Sequence, residues 1–143
     1  MTEFDKRTLP AFLALNPLYV ETIDEGFRRH RHELLEGERE IRLTLNKYYL
    51  LDGDASYVDL YYGALTAEEK RRVEAELTPD EIALLHRLDL SPEELFVRLT
   101  PQLFELCIKL SLTENLFCTF YFLRSGCTVW GNYAHKFPIF YRG

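Results

Sequence analysis

The sequence predicts a single α+β domain over residues 1–143, with short capped helices packed on a small C-terminal antiparallel β-hairpin or three-stranded sheet. Three observations predict this class. The composition, with 47% hydrophobic and 28% charged residues, is typical of a globular domain. Residues 1–112 contain repeated helix-capping motifs and helical spacings of apolar residues. Residues 113–143 favour strands, because nine of the twenty aromatic residues lie between Phe117 and Tyr141.

The N-terminal part is predicted to hold one long helix. Residues 1–16 are predicted to be irregular. Asn16 followed by Pro17 is a typical helix start, with Asn as the N-cap and Pro at the first helical position. We therefore predict a helix over about residues 17–36. Its apolar stripe at four-residue spacing comprises Tyr19, Ile23 and Phe27.

Residues 38–51 fit two structures. Ile41 and Leu43 alternate with polar neighbours as in a strand, but Leu45 and Tyr48 continue a helical seam. Helix is favoured, and the strand alternative stays open. Further on, Asp54 and Gly63 have the chemistry of helix caps, which predicts a short helix over residues 55–62.

Four further helix starts follow. Thr66, Thr78 and Ser91 each precede a Glu by three residues, which is the spacing of a capping box. Thr100 precedes Pro101 in the same way that Thr78 precedes Pro79, but Leu103 stands where a capping Glu would be. The last three of these starts predict helices over residues 79–89, 92–98 and 101–111.

The C-terminal part is predicted to form a hairpin. Two apolar runs flank Ser125 and Gly126, and Gly readily adopts the positive φ of a tight turn. A two-residue loop sets Phe120 opposite Gly131. Both faces of this ribbon are apolar, so both require cover from the rest of the chain.

Composition limits the classes of function. No apolar run approaches the roughly 20 residues of a membrane-spanning helix, and the N-terminus lacks a signal-peptide core, so we expect a cytoplasmic protein without membrane contact. The three cysteines, Cys107, Cys118 and Cys127, show no metal-binding spacing, and we expect buried, reduced thiols. A net charge of −6 disfavours a nucleic acid partner, because phosphate is repelled.

The sequence contains only weak matches to the residue patterns of catalytic sites. Cys127 and His135 are the one Cys–His combination close in sequence, and no phosphate-binding Gly-rich loop or HExxH motif is present. His30 and His32 point about 200° apart on the predicted helix and so cannot share a metal ion. We therefore predict no cofactor, metal site or catalytic residue; an enzymatic role stays uncertain, and a non-enzymatic one is favoured.

The aromatic C-terminal segment carries the functional hypothesis. Pro138 cannot donate a ladder hydrogen bond, which predicts that its strand lies at a sheet edge with unpaired backbone groups. We expect an exposed patch there that binds a protein partner or a second copy. The alternative, that its aromatics are buried against Tyr19, Ile23 and Phe27, stays open. The predicted binding residues are Tyr133, Lys136, Phe137, Phe140, Tyr141 and Arg142.

The leading hypothesis is thus a small, non-enzymatic protein-interaction or regulatory domain. One alternative is an acidic winged-helix-like transcriptional regulator, since three predicted helices precede a hairpin. Its candidate recognition helices are acidic, which is unfavourable for DNA. The other alternative is a small enzyme or ligand-binding domain whose pocket is lined by the tyrosines between Tyr48 and Tyr62.

Overall fold

Seven strands form one antiparallel sheet in the computed structural model, which describes residues 4–143. In chain order the strands are β1 (Lys6–Arg7), β2 (Arg31–Glu36), β3 (Ser56–Asp59), β4 (Phe96–Arg98), β5 (Thr119–Phe122), β6 (Cys127–Trp130) and β7 (Lys136–Tyr141). Their order across the sheet is β1-β4-β3-β5-β6-β7-β2. Each neighbouring pair is antiparallel. The two ends of the chain therefore lie in one sheet.

Helices cover both faces of this sheet. They are α1 (Leu9–Leu13), α2 (Ile23–Arg29), α3 (Glu38–Asp52), α4 (Ala67–Glu74), α5 (Pro79–Leu88) and α6 (Pro101–Leu112). Residues alternate between the two faces along each strand. On β5, Phe120 and Phe122 pack in the main core with α3, α5 and α6, whereas Tyr121 packs with Phe12 of α1 on the opposite face. The expectation that both faces of the aromatic segment are covered is confirmed.

The α+β class is confirmed, but the predicted size and origin of the sheet are wrong. Four of the seven strands, β1 to β4, come from residues before 113, so the sheet is not only a C-terminal hairpin. β3 forms within the predicted helix 55–62, and β4 forms at the end of the predicted helix 92–98. Both are short strands that are held between longer-range neighbours, and such tertiary pairing overrides local propensity.

The predicted helix over residues 17–36 is also wrong. Asn16 has φ of +60°, and the helix begins only at Ile23, after the N-cap Thr22, whose side chain accepts a hydrogen bond from the Glu25 N–H. This helix, α2, ends at Arg29, and the chain continues as β2. Gly26 allows the close packing of α2 on the sheet, because a Cβ there would lie 2.5 Å from the Phe140 ring.

Several local predictions are confirmed. Residues 38–51 are helical, within α3. Thr66 and Thr78 form complete capping boxes, and the Thr100 side chain caps α6. Ser91 starts no helix: its backbone N–H donates to Glu94, but the chain turns and enters β4. The three-helix unit required by the winged-helix alternative is therefore not formed.

The hairpin forms with a longer loop than predicted. Four residues, 123–126, connect β5 and β6, so Phe120 lies opposite Val129 and not opposite Gly131. The shift is two residues, which preserves the face on which each side chain lies. Gly131 instead lies beside Cys118, where a Cβ would be 2.5 Å from the Cys118 carbonyl oxygen.

The three cysteines, Cys107, Cys118 and Cys127, are buried and free, as predicted. Burial raises the pKa of Cys127 to about 12, so this thiol stays protonated.

Within residues 4–143, no helix is both long enough and apolar enough to cross a bilayer.

Candidate protein-interaction surface

The predicted binding residues do not form one exposed patch. Phe137 and Phe140 are fully buried, and Tyr141 is half-buried. Phe140 packs against Leu18 and Val20, and its ring centroid lies 5.5 Å from that of Phe27. The alternative in which these aromatics are covered by the N-terminal part is therefore confirmed for Phe140. The other members of the predicted set, Tyr133, Lys136 and Arg142, are exposed.

The strand that contains Pro138 is not at the sheet edge, contrary to the prediction. β7 lies between β6 and β2. Pro138 is tolerated there because it lies beyond the last bridge of the β6–β7 ladder, the pair of Val129 with Ile139. Its missing N–H therefore removes no bond from that ladder. The free sheet edge, which the position of Pro138 predicted at β7, is formed by β2.

β2 is the last strand of the sheet, and its outer side is unpaired within the described residues. The Gly37 N–H donates to the His135 carbonyl, 2.8 Å away, on the β7 side. Backbone groups of successive residues in an antiparallel strand point to opposite sides. The backbone N–H and C=O of His32, Leu34 and Glu36 therefore point outward, away from β7. These three residues present up to six hydrogen-bonding groups in a row.

The side chains of β2 differ between its two faces. On the α3 face, Leu35 is buried, and the Arg31 guanidinium lies 4.6 Å from the centroid of the Tyr141 ring. On the other face, the His32 ring packs edge-on against Phe27 at 4.8 Å, and Leu34 is 43% exposed. An exposed leucine thus lies at the middle of the free edge, between a histidine and a glutamate.

A shallow depression extends from the end of β2 along α3. It has a volume of about 480 Å³, and one of its lining residues, Leu43, is 60% exposed. The lining residues are Glu36, Arg39, Glu40, Leu43 and Thr44. The free edge therefore continues into a surface of mixed charge with an apolar centre.

A second concave surface is a groove of about 670 Å³ between α5 and α6. Its rim is closed by ion pairs: the Lys109 ammonium lies 2.8 Å from Glu81, and the Arg42 guanidinium lies 3.6 Å from Glu105. Opposite charges therefore satisfy one another along the groove. These two ion pairs neutralise four of the charged side chains that line the groove.

The tyrosines between Tyr48 and Tyr62 do not line one pocket. Tyr48 and Tyr49 pack on the α3 face of the sheet, whereas Tyr57 packs on the opposite face and donates a hydrogen bond to Asp5. The sheet separates the two groups. The predicted tyrosine-lined pocket is thus not assembled by these residues.

Asp59 is a buried carboxyl that the sequence did not single out. Its Oδ1 accepts a hydrogen bond from the Thr119 N–H at 2.7 Å. Burial raises the pKa of Asp59 to about 7, because the charged form loses its hydration. The charge of Asp59 in turn raises the pKa of Tyr61 and Tyr121, after the larger effect of burial. The carboxyl is held by β5 and has a structural role in this geometry.

The candidate Cys–His combination lacks the geometry of a nucleophile. The Cys127 thiol is buried with a raised pKa, as described above, and the His135 Nε2 lies 2.8 Å from the Leu112 carbonyl. That imidazole nitrogen is therefore a donor to the backbone, not a base for a thiol. Within residues 4–143, no group of three His, Cys, Asp or Glu residues has the arrangement of a metal site.

The residues of the free edge were missed because residues 31–36 were assigned to a helix. One signal in the sequence pointed to the correct start of α2: Thr22 precedes Glu25 by three residues, which is the spacing of a capping box. The helix that starts there ends at Arg29, before β2 begins. The pairing of β2 with β7 has no local signal, since it joins residues about a hundred positions apart.

The sequence matches no protein-family model, and neither a curated protein nor a solved structure matches it. Function is therefore inferred from the contacts and charges of the described residues.

Proposed function

We propose that the protein is a non-enzymatic protein-interaction domain that binds an extended segment of another polypeptide along the outer edge of β2. The observation that carries this proposal is the row of outward-pointing backbone groups at His32, Leu34 and Glu36. An added strand satisfies these groups by β-augmentation, in which backbone hydrogen bonds give affinity and neighbouring side chains give specificity. At the other end of the sheet, β1 pairs through only two residues.

The side chains of β2 make this edge selective. Edge strands are commonly protected from indiscriminate pairing by charged side chains. Here Arg31, Glu33 and Glu36 are exposed, so a segment that places a like charge opposite one of them is disfavoured. The exposed Leu34 supplies an apolar contact in the middle. β2 contains no proline and no bulge, both of which would block an added strand.

Selection of short peptides from a display library tests the proposal, with synthetic versions titrated against the full chain. We expect bound peptides to slow the hydrogen exchange of the His32, Leu34 and Glu36 amides. The Leu34→Pro substitution is expected to weaken binding at least about tenfold, because it removes an outward donor and places a ring at the edge. The fold is expected to persist, since the Leu34 N–H makes no bond to β7.

Two control variants separate an effect on the β2 edge from effects on folding and on other surfaces. Leu35→Pro removes an N–H that points to β7, so it is expected to cost about 3 kcal/mol or more of folding free energy. Leu50→Ala, on the exposed face of α3, is expected to leave peptide binding unchanged. Peptides that bind equally well to the Leu34→Pro variant, or that protect only the α5–α6 groove, would overturn the proposal.

A further inference from the structure

The exposed side chains on one face of β2, those of His32, Leu34 and Glu36, are self-complementary. We infer that the segment bound at this edge is β2 of a second copy of the chain, related by a two-fold axis perpendicular to the sheet. The axis passes midway between the two copies of Leu34 and is called the axis through Leu34. This inference rests on the proposed function and names its partner. The resulting assembly is a dimer with a continuous fourteen-stranded antiparallel sheet, since each copy contributes seven strands.

Geometry restricts the register of such a pair. An axis perpendicular to the sheet keeps each side chain on its own face, so residues that oppose one another lie on the same face of β2. An axis through Leu34 sets Leu34 opposite Leu34 of the second copy, and His32 opposite Glu36 of the second copy. All three outward-pointing residues then exchange both backbone hydrogen bonds within the paired strands. No outward group of the row is left without a partner.

The facing side chains favour this register over its neighbours. In the register through Leu34, the imidazole of His32 faces the Glu36 carboxylate twice, once on each side of the axis, and attracts it in its protonated form. The two exposed leucines meet between them. No carboxylate of β2 lies directly opposite another. Opposite charges and apolar pairs directly across antiparallel strands are favourable.

The neighbouring registers are less favourable. An axis through Glu33 sets two Glu33 carboxylates opposite each other, and axes through His32 or Glu36 likewise oppose identical ionisable groups. An axis through Leu35 leaves His32 opposite residue 38, which lies in α3 and has no extended backbone to pair. The register through Leu34 is the one that opposes no like charges and pairs the whole row.

Charge variants test this register directly. The molecular mass of the full chain is measured by analytical ultracentrifugation over a concentration series, where we expect a dimer. The wild-type dimer has two contacts between His32 and Glu36. The His32→Glu variant turns both into contacts between two glutamates, and the Glu36→Lys variant turns both into contacts between histidine and lysine. Each variant alone is expected to dimerise at least about tenfold more weakly than the wild type. Circular dichroism and thermal unfolding verify that each variant is folded.

The mixture of the two variants is the decisive sample. When His32→Glu and Glu36→Lys are combined, the glutamate introduced in the first variant faces the lysine introduced in the second. On the other side of the axis, the native Glu36 of the first variant faces the native His32 of the second. We therefore expect a heterodimer at concentrations at which neither variant self-associates. Leu34→Pro is expected to remain monomeric alone and in either mixture, whereas Leu50→Glu is expected to dimerise like the wild type.

Three results would overturn the inference. One is a wild-type chain that stays monomeric up to roughly 200 µM, above the micromolar to picomolar range of standard-size interfaces. The second is a dimer that is unaffected by the β2 variants. The third is a failure of the two charge variants to form a heterodimer on mixing. Peptides that bind β2 of a monomeric chain would still support the proposed function, whereas absence of both peptide binding and self-association at β2 would reject it as well.

Discussion

Phe140 and Tyr133 are aromatic residues of the same C-terminal segment, but their environments are opposite. Phe140 is completely buried between the sheet and α2, whereas Tyr133 is 66% exposed. We expect Phe140→Ala to cost about 3–5 kcal/mol of folding free energy, because it leaves a cavity against Leu18 and Val20. Tyr133→Ala is expected to change stability by less than about 0.5 kcal/mol. Urea unfolding of both variants measures this difference, and similar costs for the two would contradict the assigned burial.

Asp59 makes stability depend on pH in a direction opposite to that of a typical paired carboxylate. Its pKa is about 7 in the folded protein, above the unfolded value of about 3.9. The folded state therefore retains a proton that the unfolded chain releases, and its contribution to stability falls as pH rises between about 4 and 7.

The Asp59→Asn variant removes this contribution. The amide stays neutral and its oxygen can still accept the Thr119 N–H. Relative to the wild type, we expect its free energy of unfolding to increase with pH by up to about 4 kcal/mol between pH 4 and pH 8. Denaturant unfolding at several pH values measures the difference, with Asp54→Asn, at an exposed position, as the control. A difference that does not vary with pH would contradict the protonated, buried state of Asp59.

At the scale of elements, two similar motifs have different outcomes. Thr78 and Ser91 each precede a Glu by three residues, but only Thr78 caps a helix. We expect Thr78→Ala to cost about 1 kcal/mol, because the Glu81 N–H loses its acceptor. Ser91→Ala is expected to cost almost nothing. Comparing the two free energies of unfolding checks this, and equal losses would show that Ser91 has a capping role.

Thr78 and Ser91 also show which helices the local sequence can predict and which it cannot. Capping boxes at Thr66 and Thr78 involve neighbours in the chain, so their chemistry alone predicts the helices that follow. Ser91 carries the same chemistry, but residues 96–98 pair with β1 and β3. The energy of that pairing depends on residues far away in sequence, which no local pattern contains.

At the scale of the whole molecule, the candidate interaction edge depends on pairing between distant segments. β2 lies at residues 31–36, and its neighbour β7 ends at residue 141. The sequence predicted the aromatic strands and an exposed edge near Pro138, but β2 covers that edge. Four of the six predicted binding residues, Lys136, Phe137, Phe140 and Tyr141, pair across the ladder with residues of β2. The exposed edge thus lies one strand away from its predicted position.

The most direct measurement of the central claim is residue-resolved amide hydrogen exchange of β2 over a series of protein concentrations. At every concentration we expect slow exchange for Arg31, Glu33 and Leu35, because their N–H groups bond to β7. At low concentration we expect faster exchange for His32, Leu34 and Glu36, by at least about tenfold. At high concentration these three amides are expected to become protected as the second copy binds. Equal protection of all six amides at the lowest concentration, or equal exposure of all six, would contradict the claim that β2 is a paired outer strand with a free binding edge.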